Sequence, residues 1–460
     1  MKFIILDVYP NKNHRLIKDT AGGYGTGNYF GKGFFSRLLN VYVDNNVGMP
    51  AIEIMYISSI LKKNNEVLYT RDLNDQNIEN ADYIILPSSI IAHETEIHAL
   101  EHLKNKKVFV TGIFGNTLRD KYLKEHSIVV KSESETFFFN LHKEGNLNKE
   151  YLDKLFKNKN LINQFYSPVL LDELPFPDWE NYTKTYPLRN NFFSLNEKIA
   201  IPLLGTRGCP YSCFNYCTYP LQQGRKVRAR SVENIIEEIK YWQKTLGTNK
   251  FVFRDPVFSI NRKHTIHFCE EVIRQKLNIT FMVETHLNNL DDEMINLLAT
   301  AGLELVYVGI ESASDIVLKD MERFTVTHDK QYKIIKKCEE IGIKVKTMFI
   351  IGNPEDTEES VMQTIKYSKY LPSLYAQFSV FTPYPGTPIY KDYKNLIYEK
   401  KLENFDQYRL TFKHNYLSES KIEELKGLAY FKFYFDFSKI LETLKYFILS
   451  KYGKKIKWLG

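Results

Sequence analysis

The sequence predicts an α/β protein: a doubly wound parallel sheet at the N-terminus, a partial (β/α)6 barrel after it, and a helical C-terminal tail. Three observations carry this expectation. Short β-branched runs alternate with amphipathic helices over the first 140 residues. The alternation restarts near residue 200 and repeats six times in about 180 residues. An apolar helical stripe, Phe437, Ile440, Leu441, Leu444, Phe447 and Ile448, marks the tail.

In the first region strands are expected at FIILDVY (3–9), EVLYT (66–70), DYIILP (82–87), KVFVTG (107–112) and SIVV (127–130), with helices such as 50–63 and 94–105 between them. Right-handed crossovers between such runs give a parallel sheet that binds ligands at the carboxyl ends of its strands. The stretch AGGYGTGNYFGKG, with Gly22, Gly23, Gly25, Gly27, Gly31 and Gly33, reads as a lid loop or as backbone that approaches a ligand closely. His93, His98 and His102 share one helix and read as solvated side chains. Residues 141–200 are rich in Asn, Lys, Tyr and Pro, and LDELPFPDWENY (171–182) disfavours helix, so this is the connection between domains.

The second alternation runs IPLLGT, VENIIEEIKYWQK, KFVFRD, HTIHFCEEVIRQ, TFMVET, DEMINLLATAG, ELVYVGIES, DKQYKIIKKCEEIG, KVKTMFIIG, EESVMQTIKYSKYL and YAQFSVFTP. Barrels of this kind gather their chemistry at the strand C-termini.

Composition narrows the classes of function. At 43% hydrophobic and 25% charged, the 460 residues exclude a disordered chain. No apolar run reaches the roughly 18 residues of a membrane helix, and the opening MKFIIL meets Asp7 too soon for a signal peptide, so a cytoplasmic protein is expected. Of the net charge of +7, five charges sit in residues 421–460, nine Lys against four acids. A nucleic-acid groove is therefore not indicated. The tail reads as a helix closing the barrel or as a peripheral contact with an anionic membrane.

All five cysteines follow residue 208, which argues against a disulfide framework. Cys209, Cys213 and Cys217 stand in GTRGCPYSCFNYCTYP, at the end of the first barrel strand. Three thiolates on one loop can hold three corners of a cubane iron–sulfur cluster and leave one iron open. A zinc site wants a fourth ligand, and no histidine occurs between His142 and His264. Zinc and unpaired structural thiols stand as the alternatives. Cys269 and Cys338 lie alone on helices and read as core residues.

With these residues in view, the sequence resembles the radical S-adenosylmethionine (SAM) superfamily over most of its length. In that family a C-x3-C-x2-C loop follows the first barrel strand, holds a 4Fe-4S cluster and offers the open iron to the amino and carboxylate groups of SAM. The spacing here is C-x3-C-x3-C, one residue longer. The resemblance implies that Cys209, Cys213 and Cys217 ligate the cluster and that Tyr216 lies near the adenine. It further implies that Asp255, Glu284 and Glu311, in FRDPVF, VETH and VGIESAS, meet the methionyl ammonium and the ribose hydroxyls. IIGNPEDT, which contains Gly352, and TPYPGTP are similar to the family's fifth and sixth strand endings.

The N-terminal region and the connector resemble those of a subgroup with a Rossmann-like, cobalamin-binding domain, whose cofactor-lining loops would be PSSI (87–90), TGIFGNT (111–117) and KSESE (131–135). The D-x-H-x-x-G motif of many cobalamin proteins is absent, and KSESE lacks the glycine usual at that turn. Expected domains are therefore 1–145 Rossmann-like, 146–195 connector, 196–400 radical SAM partial barrel and 401–460 C-terminal helical region. The implied function is cleavage of SAM to a 5'-deoxyadenosyl radical with electrons from an external donor, and cobalamin-dependent methylation of an unactivated carbon in a small or lipid-like molecule. One alternative is a cobalamin-free rearrangement or oxidation. The other, from a different class, is a non-catalytic iron–sulfur electron carrier or sensor, against which the open iron argues.

Overall fold

The structure, a computed structural model, describes residues 1–10, 16–27, 50–131, 133–186 and 200–435. The apolar stripe from Phe437 to Ile448, together with Gly31 and Gly33, lies outside these residues. The described chain divides into two compact units. One takes 1–10, 16–27, 50–131, 133–186, 200–256 and 382–412, the other 257–381 and 413–435.

The first unit opens with a five-stranded parallel sheet built from β1 (Lys2–Leu6), β2 (Glu66–Thr70), β3 (Tyr83–Pro87), β4 (Lys107–Thr111) and β5 (Ser127–Val129). Its order is β2-β1-β3-β4-β5, so the sequence reverses direction between β1 and β3. The first strand is shorter than its apolar run suggests, ending where Asp7 turns its side chain to buried partners. Strands covered on both faces read as continuous apolar runs, and Ile4, Leu6, Ile84, Leu86, Val108 and Val110 form the core accordingly. The helices α1 (Ile52–Lys62) and α2 (His93–His102) provide crossovers of this doubly wound sheet, and α3 (Ser134–Lys143) follows its last strand.

The stretch expected to link the domains is built into this unit. Trp179 is fully buried and its indole Nε1 donates to Pro202 O at 3.1 Å. Asp178 accepts from Ser58 Oγ at 2.6 Å and pairs with Lys62 on α1 at 2.9 Å. Pro202 belongs to β6 (Ala200–Leu203), which pairs in parallel with β9 (Lys250–Phe253). Between them lie β7 (Thr206–Arg207) and β8 (Arg228–Ala229), a short antiparallel ribbon, the one-turn helix α4 (Tyr219–Gln223), and the crossover helix α5 (Val232–Leu246) capped by Ser231.

The second unit continues the βα alternation through α6 (Arg262–Arg274), β10 (Thr280–Thr285), α7 (Asp292–Ala301), β11 (Leu303–Glu311), α8 (His328–Glu340), β12 (Lys344–Ile351), α9 (Glu358–Tyr370) and β13 (Tyr375–Val380). The four strands pair in parallel in chain order. Along β12 half-buried and buried residues alternate, so one face of this sheet is packed and the other is partly open. The helix α10 (Glu419–Tyr434) opens the helical C-terminal region. Its Tyr430 and Tyr434 hydroxyls bond the backbone of Phe378 and Ala376, which satisfies an otherwise open strand edge.

Candidate iron–sulfur and cofactor site

The cysteine loop hangs from the β7–β8 ribbon. Only two ladder pairs hold that ribbon, Arg207 with Arg228 and Thr206 with Ala229, so other contacts must orient it. At its entry, Gly208 has φ +90°, and a Cβ there would lie 2.2 Å from Lys226 O. Only glycine fits that backbone and that approach. Inside the loop, Cys209 N donates to Gly224 O at 3.1 Å, Gly208 N to Gln223 Oε1 at 3.2 Å, and Cys217 N to Cys213 O at 3.1 Å.

These bonds fold the loop so that the three thiols converge. The Cys217 thiol is held well above the ordinary value, first by a hydrogen bond with Cys213, then by burial, with Cys213 and Cys209 adding repulsion. Thiols that raise one another in this way release protons readily only to a cation, which is what a cluster's irons provide. Among the described residues no three His, Cys, Asp or Glu side chains stand together as ligands of a single metal ion. A cubane suits this donor set better, because each thiolate takes a different iron and the sulfurs need not share one ion. Tyr216 sits between the second and third cysteines, half-buried, its N donating to Cys213 O at 3.4 Å.

Asp255, just past β9, holds the start of the loop. Its Oδ1 accepts from Gly205 N at 2.8 Å and its Oδ2 from Thr206 Oγ1 at 2.7 Å. Burial pushes this carboxyl up to about 6, against the pull of those hydrogen bonds. The glycine stretch after β1 contributes too. A Cβ on Gly22 would lie 2.6 Å from Thr218 C and Tyr219 N, and one on Gly23 2.9 Å from Gln222 Nε2. The close approach read from these glycines is therefore to the protein's own cysteine loop.

In the second unit, Glu284, Glu311 and Gly352 lie at the C-terminal ends of three adjacent parallel strands. Glu284 is half-buried near the end of β10. Glu311 ends β11 at φ +67°, beside a register shift, with its Oε1 3.4 Å from Arg323 Nη2. Burial raises its carboxyl and Arg323 opposes the rise. A glutamate in the left-handed region is strained, and such outliers cluster at ligand clamps. Gly352, φ +72°, follows β12, where a Cβ would meet Ile422 Cδ1 at 2.5 Å. Next to it Asp356 binds Asn353 N, and His414 Nε2 donates to Asn353 O at 2.7 Å, fixing the turn. Cys269 and Cys338 are buried in α6 and α8, and burial pushes both thiols up to about 12, as core residues.

At the N-terminal sheet's reversal between β1 and β3 sits Lys18, 1% exposed, with Asp7 Oδ1 and Glu96 Oε1 each at 2.9 Å. The two carboxylates hold its amine above the ordinary value although burial alone would lower it. The three loops named above meet at this edge: Ser88 Oγ donates to Thr111 O at 2.6 Å, and Gly112 N donates to Ser134 Oγ at 3.2 Å. The edge is where a doubly wound sheet takes a cofactor. Two residues after Asp7 stands Tyr9, its hydroxyl donating to Asp7. A corrinoid at this edge would find no histidine of the D-x-H-x-x-G type, since the motif is absent.

Residues 203–368, from the end of β6 into α9, match the radical SAM superfamily. Over those residues the chain carries a radical SAM domain. An uncharacterized methyltransferase of Pyrococcus horikoshii is 31% identical over 234 residues, 50% of this chain and 50% of the relative. The bacteriochlorophyllide d C-12(1)-methyltransferase of Chlorobaculum tepidum is 28% identical over 49% of each chain. The anaerobic magnesium-protoporphyrin IX monomethyl ester cyclase of Cereibacter sphaeroides is 26% identical over 71% of this chain and 54% of its own. The chain thus spans about half the length of the curated relatives it matches. Among solved structures, the radical SAM methyltransferase TsrM of Kitasatospora setae, with cobalamin and a 4Fe-4S cluster bound, superposes with TM-score 0.56 at 14% identity, over 86% of this chain and 78% of that one. The cobalamin-dependent radical enzyme OxsB gives 0.61 at 14% identity, over 92% and 65%. At such identity these share the fold: an N-terminal parallel sheet before a radical SAM domain.

Spacing could not reveal the supports of the cysteine loop. Asp255, Gly22 and the glutamates that meet Arg207 and Arg228 come from distant segments. The resemblance singled out Asp255 and the KSESE loop, but as groups facing SAM or a cofactor and not as supports of this loop, and for Gly22 the signal was glycine density.

Proposed function

We propose that this chain is a radical SAM methyltransferase whose cluster is held by Cys209, Cys213 and Cys217. The observation that carries the reading is the convergence of these three thiols on one anchored loop, with the two other cysteines buried in helices. When bound, the 4Fe-4S cluster supplies the electron that splits SAM into methionine and a 5'-deoxyadenosyl radical, and a corrinoid supplies the methyl carrier. The protein's part is to bind, orient and exclude water. Tyr216 would offer a ring to the adenine. Glu284 and Glu311 would accept from the ammonium and ribose hydroxyls of SAM, with Gly352 turning the chain at the end of β12 against Ile422. Asp255, with both oxygens occupied by Gly205 and Thr206, would act by fixing the loop.

The names of the relatives support a small-molecule substrate, and their tetrapyrroles make a flat, largely apolar one the first class to test. Among the described residues no helix is long and apolar enough to cross a membrane. Electrons would come from an external donor. A second reading is a cobalamin-free radical rearrangement or oxidation; the cyclase relative, matched over 71% of this chain, is named for a ring closure and not for a methyl transfer.

The experiment is anaerobic reconstitution followed by paramagnetic resonance of the reduced protein with and without SAM, and assay of 5'-deoxyadenosine. A SAM-perturbed cluster signal and SAM cleavage support the enzyme, whereas an unperturbed signal favours an electron carrier. Stoichiometric uptake of hydroxocobalamin separates methyl transfer from the cobalamin-free reading.

A further inference from the structure

We propose that Glu133 and Glu135 are positioning residues that hold the cysteine loop in register for its cluster, a role that rests on the cluster reading above. Both stand at the start of α3, just after β5, and both reach the neck of the cysteine loop. Glu135 Oε1 lies 2.5 Å from Arg207 Nη1, and both side chains are under 5% exposed. Glu133 Oε2 lies 3.6 Å from the same Arg207 nitrogen and accepts from Arg228 Nη1 at 3.0 Å, while Glu133 Oε1 accepts from Arg228 Nη2. Arg207 and Arg228 are the cross-strand pair of the ribbon, and Arg207 precedes Cys209 by two residues. Arg228 Nη2 also donates to Gln223 O at 3.4 Å, at the loop's last turn.

A two-pair ribbon cannot set its own direction. Asp255 fixes it at Gly205 and Thr206, which leaves rotation about that point free. The glutamate–arginine lattice is the second anchor, and two anchors define an orientation. Backbone strain points the same way. Glu133 has φ +51° and ψ +61°, a conformation glycine adopts freely and glutamate does not. Helix α3 would start as well with glycine there, so the side chain must be what the position requires. It is also not a bulk-solvent ion pair: Arg207 is 3% exposed and its face packs over the Tyr56 ring at 5.7 Å. Behind it Glu53 is buried, its carboxyl pushed up to about 8 by burial first and then by the charge of Glu135, so that it adds little competing negative charge near neutrality.

The test compares anaerobically reconstituted wild-type protein with Glu133→Gly and Arg228→Gln. Glycine relieves the strain, so a residue with a merely structural role predicts a melting temperature at or above wild type and an unchanged cluster. A positioning role predicts the same melting temperature, cluster loss in air faster by about threefold or more, and a weakened spectral response to SAM. Arg228→Gln, which leaves Glu133 in place and removes its partner, should reproduce the effect. Wild-type rates and spectra in both variants overturn the proposal, as does cluster loss that only follows a fall in melting temperature. If the wild-type protein takes up no cluster, the cofactor reading fails and this role with it, an outcome distinct from variants that behave like a loaded wild type.

Discussion

At the scale of single residues, two carboxylates carry separable tests. Asp255 is buried with a folded value of about 6 against an ordinary 3.8. The folded protein therefore holds this proton more tightly than the unfolded chain does, so the carboxyl's contribution is most favourable below 3.8 and is lost as pH rises through about 6. A shift of about two units corresponds to about 3 kcal/mol. Asp255→Asn, which keeps an acceptor for Gly205 N and a polar group for Thr206, should lack this dependence. Urea unfolding of both proteins from about pH 4 to about pH 7 should then show the wild type losing about 3 kcal/mol relative to the variant. A constant difference would mean that the carboxylate is not desolvated as its surroundings indicate. For Glu311 the proposed role is ligand binding instead. Its strain and its place at the end of β11 predict that Glu311→Gln weakens SAM binding by about ten- to a hundredfold, the worth of one charge-assisted hydrogen bond. Titration of the reduced cluster's resonance signal with SAM measures this, and an unchanged half-saturation would remove Glu311 from the site.

At the scale of elements, the strands were legible because each is a short apolar run set between helical repeats. The candidate cysteine site could be picked out because its chemistry is local, three thiols within nine residues. What surrounds that loop was not legible, since burial couples segments that no spacing relates. Gly22 is the clearest case: as sequence it is one of six glycines in a loop, and in the structure it presses its backbone on Thr218 and Tyr219. Gly22→Ala would require both a left-handed alanine and a displaced loop exit, because the obstructing atoms are backbone. Overpacking of this kind costs about 1–3 kcal/mol. Iron content after reconstitution should fall in the variant, and full loading at wild-type stability would show that the loop exit yields without consequence. Lys18 was equally hidden. No motif marks it in the sequence, yet it lies buried between Asp7 and Glu96 at the sheet's reversal. Lys18→Met should cost about 3–5 kcal/mol, because it strands two buried carboxylates.

At the scale of the whole molecule, the first unit joins segments that the sequence assigns to three domains. The N-terminal sheet, the connector and the cysteine ribbon share buried contacts: Trp179 bonds Pro202 of β6, Asp178 bonds Ser58 and Lys62 of α1, and Glu135 meets Arg207 of β7. A connector so placed is a wedge between the sheet's first crossover helix and the first barrel strand, and its Trp179 is among the largest fully buried side chains. Truncating a buried indole removes its apolar burial and leaves a cavity, a loss of about 3–5 kcal/mol. Pro202 O would also lose its donor. Because the ribbon takes its support from this same body, Trp179→Ala should lower the stability of the N-terminal sheet and of the cysteine ribbon together. Chemical unfolding read by far-ultraviolet dichroism and by alkylation of Cys209, Cys213 and Cys217 in the cluster-free protein would follow both. The expected outcome is two curves that shift to lower denaturant by the same amount. If the dichroism shifts and cysteine protection does not, the connector supports the sheet alone and the ribbon's stability comes from the barrel strands.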